Sequence, residues 1–218
     1  MLLTKYYAKL FGFIVALIIF RMVYTQSIYF IFIIFNLLLA FIPYLISCFF
    51  VANKINSKTI SYLIAVVWLM FLPNAPYLIT DLFHLHKVDN MPLYFDLIFL
   101  LMASFLGLLF FYNSIINMQN WAINNNINIP FKTTIIFIML LSGVGIYLGR
   151  YLRLNSWDVF FNTSYAFKII FNSLSLIRFY GVSILFGISL YLIYEFIFYG
   201  SNLVVINNYT KVANTKRA

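Results

Sequence analysis

Six stretches of mostly apolar sequence, each near the length needed to cross a bilayer, constrain this chain more than anything else in it. A membrane-spanning helix needs about 17–25 such residues. The stretches are 10–24, 28–51, 60–79, 93–113, 133–149 and 179–199. The first extends toward Tyr6, with Lys9 and Arg21 expected to snorkel at its two ends. Only 9% of the residues are charged and 64% are hydrophobic, against about 25% and 45–50% in soluble domains. That balance excludes a soluble globular domain, a disordered chain and a nucleic-acid-binding domain. The expected fold is all-α: a polytopic membrane bundle of six transmembrane helices in one domain, residues 1–199. A polar, basic tail, residues 200–218, is expected to be flexible.

Between the fifth and sixth spans, Phe167, Ile170, Phe171, Leu174 and Ile177 recur at helical spacing, with Lys168, Asn172, Ser173 and Ser175 between them. This pattern predicts an amphipathic helix lying in the membrane interface. The Asn-rich stretch 117–128 reads as a loop. Cys48 is the only cysteine, so disulfide and Cys-based metal frameworks are excluded. Met1–Ser27 resembles a signal sequence without a cleavage site, which suits an uncleaved anchor. The richness in Phe, Tyr, Ile, Asn and Lys matches the bias of an AT-rich bacterial genome, so the aromatic content is not read as function.

The net charge of +9 comes from 14 Lys and Arg against 5 Asp and Glu. With six spans the termini share a side, which holds eight of the bases; the other side holds six. The positive-inside rule then puts both termini in the cytoplasm. The acids divide more sharply. Asp81, Asp89, Asp96 and Asp158 fall opposite the termini and only Glu195 falls beside them.

Three clusters carry candidate chemistry. In the first, Pro73 and Pro76 remove backbone donors and break the third helix. The carbonyls they free must be satisfied by protein or face a cavity, and Asn74 is a local partner for them. Asp81 and His84, three apart, share a helical face; a carboxylate beside an imidazole can orient it, bind metal with it or relay protons. Read without function, Asp81 caps a short helix and His84 sits at the interface. In the second cluster, Asp96 follows Pro92 at the start of the fourth span. The helix dipole favours it there, and an acid inside an apolar segment is also a functional candidate. In the third, Arg150 and Arg153 follow the fifth span and precede Asn155, Ser156, Trp157 and Asp158. Cations at a helix C-terminus suit the dipole, but the density of hydrogen-bonding groups exceeds what a connection needs. Gly145 and Gly149, with Gly143 nearby, form a small-xxx-small face for close helix packing.

The string from Leu72 to Leu85 (Leu72-Pro73-Asn74-Ala75-Pro76-Tyr77, then Thr80-Asp81-Leu82-Phe83-His84-Leu85) and the string from Gly145 to Asp158 together resemble a bacterial membrane-protein family, domain of unknown function 1361. The resemblance runs from about Ile28 to Tyr199. It departs from the family pattern at Tyr94, where Trp is usual, and at Thr163, where Pro is usual. It implies a bacterial membrane protein of this size and no particular activity.

Three functions remain open on this reading. The first is a structural protein, or one that binds a small ligand or lipid headgroup, with Asn74, Arg150, Arg153, Asn155, Ser156 and Trp157 as binding candidates. The second is a membrane-embedded enzyme acting on a lipid-linked or anionic substrate. There Asp81, His84, Asp96 and Asp158 would be the catalytic or metal-ligating groups, with a divalent metal as the candidate cofactor. The third is a small transporter. The helix middles hold few polar residues, Asn36 and Ser104 being the main ones, which disfavours a pathway through the bilayer midplane. The partners expected are the lipid bilayer, its headgroups or another membrane protein, in a bacterial cell membrane.

Overall fold

The computed structural model describes residues 2–52, 57–85, 91–127, 130–154 and 162–215, with the side chains of 2–4, 58 and 198–215 outside the description. The elements in chain order are α1 (Leu2–Thr25), α2 (Ile31–Ala52), α3 (Lys58–Phe71) and a short α4 (Asn74–Tyr77) that runs into a 3₁₀ helix (Leu78–His84). Then come α5 (Leu93–Asn124), α6 (Phe131–Leu152), α7 (Thr163–Ser173) and α8 (Ile177–Thr215). No strand occurs among the described residues. Six helical stretches are long and apolar enough to cross a membrane. Their outward faces carry large hydrophobic side chains such as Phe13, Phe35, Leu63 and Phe137. The chain is a multi-pass membrane protein.

Several boundaries differ from the sequence expectation. α1 begins at Leu2 rather than near Leu10. α5 continues to Asn124, so 117–124 is helix and not loop. Its polar side chains are held there: Asn117 Nδ2 donates to Ser47 Oγ (3.1 Å), and Gln119 Oε1 accepts from Tyr194 Oη (3.1 Å). The backbone of α8 stays helical through 200–215, the segment read as tail.

α5 is the central post, in contact with α1, α2, α4 and the 3₁₀ helix, while α6 packs most extensively on α8. Glycine sets how closely these elements approach. A Cβ on Gly143 would collide with the Ser183 carbonyl of α8, and one on Gly187 would lie 2.9 Å from Leu140 Cα. A Cβ on Gly107 of α5 would strike the Ala75 carbonyl, and one on Gly145 of α6 would lie 2.5 Å from the Pro73 ring. The short α4 is thus held between glycine faces of α5 and α6.

Buried polar groups along α5 tie the far half of the bundle together. Trp68 Nε1 donates to Ser114 Oγ (2.7 Å), which donates to the carbonyl of Pro43 (2.9 Å). Asn113 Nδ2 donates to Tyr7 Oη (2.9 Å). The helix middles are therefore less bare than the sequence suggests.

Candidate functional site

The third span breaks where its prolines require. α3 stops at Phe71, and Leu72 and Pro73 turn into the single turn of α4. Pro73 and Pro76 cannot donate, and side chains cover the carbonyls around the break. Asn74 Nδ2 donates to the Phe71 carbonyl (3.0 Å), Thr80 Oγ1 to that of Tyr77 (2.7 Å) and Ser104 Oγ to that of Leu78 (2.9 Å). Asn74 thus takes the local role expected of it.

A cavity of about 280 Å³ lies at the break, between α2, α3, α4 and α6. Val66, Leu69, Met70, Leu141 and Val144 form its apolar part; Asn36, Asn74 and Tyr77 form its polar wall. Gly145 and Gly149 line it on α6, where larger side chains would fill the space. Val66 is 56% exposed, so the cavity opens on the outer, lipid-facing surface of the bundle.

Asp81 stands behind that wall at 1% exposure. Its Oδ2 accepts from Asn36 Nδ2 (2.9 Å). Its Oδ1 is buried without a hydrogen-bond partner among the described residues. The Arg150 side chain is near enough for its charge to act on the Asp81 carboxylate.

His84, on the last turn of the 3₁₀ helix, joins two other elements. Arg150 Nη1 donates to His84 Nε2 at 2.8 Å, and Tyr29 Oη lies 3.3 Å from Nδ1. A guanidinium can only donate, so Nε2 accepts in a neutral ring that carries its proton on Nδ1 and donates to Tyr29. The ring also packs against Phe32, and Arg150 stacks over Phe83 at 5.3 Å. Arg153 does not join it. This residue ends α6 in the left-handed conformation (φ 54°) more often taken by glycine and is exposed. Arg153 is thus exposed at the helix end, while Arg150 is held on His84.

Asp96 has a side-chain partner beyond the helix dipole expected to favour it. Arg21, read as a snorkelling end residue, is fully buried. It donates through Nε to Asp96 Oδ1 (3.1 Å) and through Nη2 to Oδ2 (3.3 Å). Its guanidinium lies over the Phe30 ring at 4.5 Å. Both carboxylate oxygens of Asp96 are thereby held, and α1 is tied to the first turn of α5. Sequence reasoning missed Arg21 because a base at a span end usually reaches for headgroups; the signal was an acid opening another span on the same side. Tyr29 and Asn36 were also not singled out as site residues. Asn36 had stood out only as a polar group inside a span.

Asn155, Ser156, Trp157 and Asp158 lie outside the described residues, as do His86, Lys87 and Asp89. Among the described residues, no three of His, Cys, Asp and Glu come together as a metal site would need. Asp81, His84 and Asp96 go instead to Asn36, to Tyr29 with Arg150, and to Arg21.

The sequence pattern of the family described as "Protein of unknown function (DUF1361)" matches residues 35–193, well over half of the chain. The chain belongs to this family. The matched region contains the broken helix, Asp81, His84, Asp96 and Arg150, whereas Arg21 and Tyr29 precede it. No curated protein and no solved structure matches the chain.

Proposed function

We propose that this protein binds a lipid-borne ligand in the cavity at the helix break. The ligand's apolar part lies against Val66, Leu69 and Leu141, and its headgroup meets Asn36, Asn74 and Tyr77. The observation that carries this reading is the shape and chemistry of the cavity. It is apolar at its outward mouth and polar at its inner wall, and it sits beside a break where side chains cover the Phe71, Tyr77 and Leu78 carbonyls. Its volume is close to the lower end of small-ligand pockets, about 300–1,000 Å³. An amphipathic molecule entering from the bilayer fits that gradient. The Tyr29–His84–Arg150 chain and the Arg21–Asp96 pair act on this reading as the frame that holds α1, α2, the 3₁₀ helix, α5 and α6 at one end of the bundle.

The setting proposed is a bacterial cell membrane with both termini cytoplasmic, supported by the eight-to-six division of bases. α7 lies flat in the opposite interface. Its exposed Tyr165, Phe167 and Phe171 then face the acyl boundary, and Ala166 and Ser173 face the protein.

Native mass spectrometry of the detergent-purified protein, titrated with a phosphatidylethanolamine, tests the binding. Wild type is expected to retain one lipid under conditions that strip the annular ones. Val66→Trp, which fills the mouth from an exposed position, is expected to lose it. Equal retention by the two proteins counts against the cavity.

A further inference from the structure

We propose that the polar wall of the cavity selects a ligand headgroup bearing an O–H or N–H donor, and that Asp81 is the positioning residue that gives the wall this preference. The inference rests on the lipid-binding reading and adds the chemical class of the headgroup.

A side-chain amide has a donor end and an acceptor end on opposite sides of one carbon. Which end points where depends on its neighbours. Asn36 lies in the cavity wall, with its Nδ2 2.9 Å from Asp81 Oδ2. A carboxylate only accepts. The reversed amide would set oxygen against oxygen at that distance, so Asp81 fixes Asn36 with Nδ2 inward. The Asn36 carbonyl oxygen is then turned away from Asp81 and has no hydrogen-bond partner among the described residues. The negative charge behind the amide also polarises it, which strengthens that oxygen as an acceptor.

The second amide of the wall is committed in the same sense. Asn74 also turns an Nδ2 hydrogen to the protein, on the Phe71 carbonyl. Asp81 itself is buried at 1% exposure with Oδ1 unsatisfied, a burden that packing alone does not explain. The guanidinium of Arg150 is turned to His84 and the Phe83 ring, so it does not offer the cavity a competing cationic donor. The Asn36 oxygen is thus an acceptor that this wall offers a ligand, beside the Tyr77 hydroxyl, which can donate or accept.

The experiment compares three diacyl phospholipids with identical acyl chains. Phosphatidylethanolamine carries N–H donors, phosphatidylglycerol carries O–H donors, and phosphatidylcholine carries neither. Competitive native mass spectrometry on the full-length wild type should favour each donor lipid over phosphatidylcholine by about three- to tenfold, the worth of one net hydrogen bond. A preference for phosphatidylethanolamine alone narrows the class to ammonium. Asp81→Asn can donate to Asn36 and release its amide to reverse, so the preference should fall to within about twofold while phosphatidylcholine still binds. Asn36→Leu removes the acceptor and should have the same effect, which keeps the test valid if Asp81→Asn is too unstable to purify. A merely structural role for Asp81 would lower retention of all three lipids together and leave their ratios intact. Wild type retaining the three lipids equally, or ratios unchanged in both variants, overturns the selection. Wild type retaining none overturns the lipid-binding reading along with it.

Discussion

Removing one member of the Arg21–Asp96 pair should destabilise the bundle far more than removing both. In Arg21→Met, Asp96 keeps its place at 4% exposure and loses both donors, Nε at 3.1 Å and Nη2 at 3.3 Å. Stranding one charge of a buried pair costs about 3–5 kcal/mol. The contact over Phe30 adds roughly 0.5–2 kcal/mol, partly recovered by the packing of Met. For a chain of this size the loss corresponds to a fall in Tm on the order of 10 °C. In Arg21→Met with Asp96→Leu no charge is stranded, and apolar replacements of similar volume are often neutral or stabilising. The double variant should therefore return to within about 1 kcal/mol of wild type. Thermal unfolding in a mild detergent, followed by tryptophan fluorescence, gives the four corners of the cycle. A single variant within 1 °C of wild type, or a double variant no better than the worse single, would refute the pair as the tie between α1 and α5.

Three further outcomes follow from the packing. Gly143→Val forces a side chain into the Ser183 carbonyl and should cost about 1–3 kcal/mol or more, because backbone and not a flexible tip must move; the same thermal assay reads it. Gly12→Ala and Gly181→Ala meet nothing within 4 Å and should leave Tm unchanged or slightly raised. Trp68→Phe removes the 2.7 Å bond to Ser114 Oγ and should cost about 0.5–1.5 kcal/mol, whereas Trp121→Phe, whose ring edge packs on Phe50, should cost less. With Cys48 replaced by Ser, a cysteine at Gln26 should react with membrane-impermeant maleimide from outside intact cells; labelling only after lysis would reverse the proposed orientation.

The spans were legible because the bilayer imposes a length and an apolar composition that the sequence displays directly. The break was legible because two prolines three residues apart leave a helix no way to continue. The glycines at 143, 145 and 149 were recognisable as a packing face, and each meets a neighbouring element. Partners across the bundle were harder to read. Arg21 and Asp96 are 75 residues apart, and periodicity carries no information about which acid a base will find. The same holds for His84, whose partners are Tyr29, in the turn before α2, and Arg150, on α6. That Arg150 is held on His84 while Arg153 is exposed at a left-handed helix end is a difference that sequence spacing cannot express. The end of α5 differs from the sequence expectation because asparagine is a turn former in isolation, while here α2 supplies a partner for Asn117 and α8 one for Gln119.

Everything proposed for this site depends on a lipid occupying the cavity at the helix break. An experimental structure of the protein in phosphatidylethanolamine nanodiscs tests it most directly. An acyl chain is expected between Val66 and Leu141, with its headgroup within hydrogen-bond distance of the Asn36 side-chain carbonyl. A cavity closed by movement of α3 onto α6, or filled by the protein's own side chains, would contradict it.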